Sequence, residues 1–101
     1  MEQEISVEEL NTAITYCDKL DRLMANKDFK DIILKYYLED SVLAISSNLS
    51  RIKPENRNLL VEQLIARNSL RAFLEDIMVQ ARNAKAELAD IQANQSNGEN
   101  N

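Results

Sequence analysis

The sequence predicts an all-α fold: an antiparallel helical hairpin, over residues 7–25 and 28–48, packed on a long third helix over 54–92. Three observations predict it. One Gly and one Pro in 101 residues leave little to break a helix. Ala, Leu, Glu, Gln, Lys and Arg, which lose little on entering a helix, are plentiful. Apolar residues recur at intervals of three and four rather than alternating.

The first helix opens at a capping box. Ser6 is placed to accept from a free backbone amide, and Glu9 to reach back to Ser6. Its apolar stripe is Leu10, Ala13, Ile14, Cys17, Leu20, Leu23 and Met24. Lys19 and Arg22 suit the negative end of the helix dipole. Asn26 is expected as a left-handed C-cap, and Asp28 as the cap of the second helix. So short a connection makes the two helices an antiparallel hairpin.

The second helix, in the stretch NKDFKDIILKYYLED, is apolar on two sides. Phe29, Ile33, Tyr36 and Leu43 form one stripe. Leu34, Leu38, Val42, Ile45 and Leu49 form another, with Ile32 and Tyr37 widening the face. Such a helix is covered twice, once by the first helix and once by the third helix or another subunit.

Pro54 excludes helical geometry at Lys53 and suits the first position of a new helix, with Ile52 stapling onto its first turns. The third helix, with no Gly or Pro inside it, would reach about 55–60 Å at 1.5 Å per residue, more than the hairpin covers. Its apolar face is broad from Leu59 to Val79, which suits packing on the hairpin, with Arg67, Asn68 and Ser69 interrupting the stripe. From Ala81 it narrows to Ala81, Ala84, Leu88 and Ile91, a seam of coiled-coil spacing expected to meet a partner. Residues 1–94 read as one helical domain and 95–101, QSNGENN, as a disordered polar tail.

The formal charge is −5. Residues 1–50 hold ten acids and five bases, and 51–101 seven of each. That balance speaks against binding a phosphate backbone or an anionic membrane as the main task. No apolar run approaches the ~18 residues of a membrane span, and the N-terminus lacks an apolar signal core. With no histidine and one cysteine, zinc and redox-metal sites lack ligands, and Cys17 has no histidine base beside it. No glycine-rich loop could cradle phosphate. The expectation is a protein with no catalytic, cofactor or metal site, working in a reducing bacterial cytoplasm.

Partner-binding candidates remain. Tyr36 and Tyr37 are residues of the kind enriched at interfaces. Arg67 and Arg71, one turn apart, are placed to fork onto carboxylates of the acidic hairpin in this subunit or another. Ala81, Ala84, Leu88 and Ile91 form the narrow seam.

Four segments also carry a resemblance: Leu20-Asp21-Arg22-Leu23 through Asp28-Phe29, Ile32 to Tyr37, Leu70-Arg71-Ala72-Phe73-Leu74 with Ile77, and Ala81 to Leu88. Over about residues 16–90 the layout resembles small helical proteins encoded among the structural and morphogenesis genes of tailed bacteriophages. Arg67-Asn68-Ser69 stands where that class has a glycine-containing turn. The resemblance implies a setting, virion or head assembly in the host bacterial cytoplasm, and no mechanism or functional residue. The expected function is non-enzymatic assembly through self-association (a homo-oligomer) or docking to phage capsid or scaffold proteins. The alternative is a small acidic inhibitor or adaptor that binds a host protein.

Overall fold

The computed structural model describes residues 6–99, with side chains through residue 95. It is all-α, and no strand occurs among the described residues. Three helices follow one another: α1 (Val7–Ala25), α2 (27–49) and α3 (54–99). α3 packs against the others and runs past the expected end at residue 92 to Glu99, into the stretch expected to be a tail. Asn100 and Asn101, the rest of that tail, lie outside the described residues.

Local chemistry sets the helix ends. The Glu9 amide donates to Ser6 Oγ at 3.1 Å, satisfying one of the amides a helix start leaves free. The α1–α2 connection is a single residue, Asn26. It is not a left-handed cap: φ −71° and ψ 128° place it in extended geometry. Its Oδ1 accepts from the Phe29 amide at 3.0 Å, so Asn26 rather than Asp28 caps α2. One residue that ends one helix and starts the next must take the extended conformation of an N-cap. Lys53 is extended as well, with ψ 144°, because Pro54 follows it. Pro54–Asn56 forms a 3₁₀ turn that leads into Arg57–Glu99.

α2 is not a plain α-helix. After the turn Lys27–Phe29, residues Lys30–Asp40 are π-helical, and α geometry returns over Ser41–Leu49. The sequence explains why. The residues of α2 turned from solvent are Phe29, Ile33, Tyr37, Ser41, Ile45 and Leu49, with Leu34, Leu38 and Val42 beside them. Each series steps by four. In an α-helix four residues overshoot a full turn by about 40°, so such a stripe winds around the helix. Amides that reach back five residues make a wider turn, in which four residues fall short of a full turn. The π segment and the α segment after it drift in opposite directions, and the stripe stays on one face. The two stripes expected from α geometry therefore merge. Phe29 and Ile33 join the inward face, and Tyr36 and Leu43 are left out.

α3 follows another rule. From residue 57 to 95 the positions turned from solvent are Leu60, Gln63, Arg67, Leu70, Leu74, Ile77, Ala81, Ala84, Leu88 and Ile91, flanked by Leu64 and Met78. The ten alternate strictly between steps of three and four, a heptad seam. Both compact units of the chain use it.

In one unit, α1 up to Asp21 groups with α3 from Glu75. Leu10 and Leu20 are each 5% exposed, and Ala81 and Ala84 2% and 3%. Leu10, Ala13 and Ala84 line one groove, so the alanines give the two helices a close approach. This corrects the expectation for Ala81 and Ala84: α1 covers them within the chain. The other unit, residues 22–74, pairs α2 with the first part of α3. Its buried residues are Leu38, Ile45 and Leu74. Contacts of Ser41 with Arg67 and of Leu38 with Arg71 run in opposite chain order, so the helices are antiparallel.

Two ion pairs occur among the described residues, Lys27–Asp31 at 2.7 Å and Lys35–Asp40 at 3.1 Å. Each carboxylate accepts a hydrogen bond from its ammonium and raises the lysine pKa above 10.5. A lysine raised in the folded state stabilises at pH below its unfolded pKa, and that contribution is lost as pH rises through the folded value. Melting curves of wild type and Lys27→Met are therefore expected to keep a constant offset from pH 7 to 9 and to converge only in strong alkali. Exposed pairs of this kind are worth little.

Candidate functional site

The densest polar cluster lies where the π segment of α2 ends. The Ser41 amide still reaches back five residues to the Tyr36 carbonyl. When pairing resumes at four residues, one carbonyl, that of Tyr37, is skipped. The Ser41 hydroxyl donates to it at 2.6 Å. Arg67 Nε donates to the same hydroxyl at 2.7 Å, and another Arg67 nitrogen to the Gln63 carbonyl at 3.1 Å. The Arg67 guanidinium lies 4.4 Å from the Tyr37 ring centre, a cation–π contact. Arg71 donates to the Leu38 carbonyl at 2.6 Å. Two arginines from α3 thus clamp the register change in α2. Among the described residues neither pairs with a carboxylate; they bind a hydroxyl, a ring and carbonyl oxygens.

Arg67 therefore occupies a seam position with two of its nitrogens hydrogen-bonded within the chain. A polar residue in such a seam fixes register at some cost in stability. Arg67→Ala is expected to cost about 1–3 kcal/mol, the range for a stranded partner plus a cation–π contact. Urea unfolding measures it. Faster amide exchange across 30–40 would locate the effect at the π segment, and an unchanged exchange pattern there would reject the clamp.

The sequence-predicted partner residues separate accordingly. Tyr37, Arg67 and Arg71 bind within their own chain. Ala81 and Ala84 are buried, and Leu88 and Ile91 are half-buried on the seam. Tyr36 is open, at 62% exposure, and makes no such contact; Arg71 is exposed as well but is held by the Leu38 carbonyl. Sequence reasoning missed its neighbours in role, Ile32 at 58% and Leu43 at 66%. The interval of four between Ile32 and Tyr36 was the available signal for the first of them. Leu43 also shares a shallow groove with Leu38, Glu39, Val42 and Arg71. α2 thus leaves Ile32 and Tyr36 in solvent one turn apart, and Leu43 further along, beside the Arg71 groove.

A long helix with a heptad seam, a partly π-helical neighbour and several apolar side chains left in solvent define an all-α protein. No family model, curated protein or solved structure matches the chain. Among the described residues no helix is long and apolar enough to cross a membrane.

Proposed function

We propose that this protein is a non-enzymatic assembly protein that works through helix-mediated self-association or docking to other proteins. The setting proposed is virion or head assembly of a tailed bacteriophage in its host's cytoplasm, with phage capsid or scaffold proteins as partners. The resemblance in residues 16–90 supports that setting. The observation that carries the interaction reading is the outward side of α2, where Ile32, Tyr36 and Leu43 are each more than half exposed. Large apolar side chains left in water along one helix, with Ile32 and Tyr36 one turn apart, are what a covering partner would remove from solvent. The alanine seam no longer contributes, since α1 covers Ala81 and Ala84.

Light scattering on the purified chain at micromolar concentration is expected to report an oligomer. Leu43→Asp and Tyr36→Ala are expected to shift it toward monomer while leaving helix content unchanged. A monomeric wild type that also captures no phage head protein would reject the reading. Mass spectrometry of purified virions against infected lysate tests the setting. The acidic excess of residues 1–50, ten acids to five bases, favours a second reading, an acidic inhibitor or adaptor for a host protein. Retention of a host polymerase or nuclease from lysate would select it.

A further inference from the structure

α1 up to Asp21 and the part of α3 from Glu75 form a unit of two helices. Two packed helices bury one stripe each and leave a trough along their common side, the place a third helix takes in a bundle. Two adjoining troughs of about 510 and 380 Å³ run along this pair and share Glu9, Ala13 and Gln80. Both are open to solvent. Leu10, Ala13 and Ala84 line the bottom, and the Tyr16 ring, 58% exposed, stands at the edge.

The charge of the troughs has one sign. Glu8, Glu9 and Glu87 line them and no Lys or Arg does. None of the three carboxylates is in an ion pair among the described residues. Thr12 gives its proton to the Glu8 carbonyl at 2.9 Å, which leaves its oxygen an acceptor. Among the described residues no three carboxylates converge to hold a metal ion, so a single cation does not account for them.

We infer that this trough docks an amphipathic helix of another protein, with small apolar residues on its inner stripe and Lys or Arg on both borders. Residues 6–16 of α1 give it a length of about three turns. The present chain does not supply such a segment. In each of α1, α2 and α3 acids outnumber bases, and residues 1–5, MEQEI, hold two acids and no base. Complementary charge must therefore come from a different protein. The trough uses none of the exposed α2 side chains, so it goes beyond the self-association reading and is independent of it.

The probe is a synthetic helical peptide of about four turns, with Ala and Leu inside and Lys on both borders; its copy with Glu for Lys is the control. Saturable binding of the Lys peptide alone is expected, with amide shifts in the wild type centred on Ala13, Tyr16, Ala84 and Glu87. Glu9→Lys combined with Glu87→Lys is expected to weaken binding at least about tenfold. Glu39→Lys combined with Glu62→Lys makes the same change of net charge in the other unit and is expected to weaken it less than about twofold. Leu43→Asp is expected to bind as the wild type does. Equal weakening by the two double variants, shifts centred on residues 32–43, or no binding of the Lys peptide overturns the inference and leaves the α2 reading untouched. Loss of wild-type self-association in the Glu9→Lys, Glu87→Lys chain would place a second copy in the trough and overturn it as well.

Discussion

Leu38→Ala is expected to lower the unfolding free energy by about 2–5 kcal/mol, the range for deleting a buried leucine. Leu38 is 4% exposed. It sits in the π segment, faces α3 and offers its carbonyl to Arg71. Truncation removes apolar area from the centre of the unit formed by residues 22–74 and opens a cavity beside Arg71, whose backbone anchor is the same residue. Against a total stability of roughly 5–15 kcal/mol for a small domain, that is a large loss. Urea unfolding of the single variant measures it. Leu43→Ala is the internal comparison. Leu43 is 66% exposed, so its truncation is expected to change the stability of an isolated copy by no more than about 0.5 kcal/mol. If Leu43→Ala cost as much as Leu38→Ala, the inward and outward sides of α2 would be wrongly assigned.

The second large effect is of the opposite kind. Ala81→Leu is expected to destabilise by about 1–3 kcal/mol through overpacking, although leucine forms helices almost as well as alanine. Ala81 is 2% exposed, and it belongs to the part of α3 that groups with α1. Extra methylenes there must push the two helices apart or force strained rotamers. The same change at Ala72, which is exposed, is expected to be neutral for folding. A thermal melt of each variant separates the two. Had Ala81 been free to meet a partner, as its spacing first implied, Ala81→Leu would have left the isolated chain unharmed.

The sequence was legible in its helix boundaries because they are local chemistry. Ser6 with Glu9, and Lys53 before Pro54, act within a few residues. Asn26 was misread by one role, from C-cap to N-cap, because the connection proved shorter than the pattern required. The seam of α3 was legible only from Ala81 onward. Its first half was hidden by Gln63 and Arg67, polar residues in apolar positions. A periodicity count scores Arg67 as an interruption. In space its stem is half-buried and its guanidinium is held by Ser41, Gln63 and Tyr37. Nothing local to Arg67 announces partners twenty-six and thirty residues away in sequence. The site fared worse than the fold for the same reason. Tyr37 and Tyr36 are neighbours of identical chemistry, yet one lies under an arginine and the other stands in solvent.

The sequence by itself determined that the chain is helical, where its first and third helices begin, and that their apolar residues outnumber what a narrow stripe needs. These follow from propensity, caps and a single proline, which act at short range. Only the tertiary structure decided the helical register of α2 and which apolar residues are covered. A four-residue step is compatible with an α-helix whose stripe winds or with a π-helix whose stripe runs straight. Choosing the second requires a neighbouring helix along which a straight stripe can lie, and side chains from that helix to take up the carbonyls at the register change.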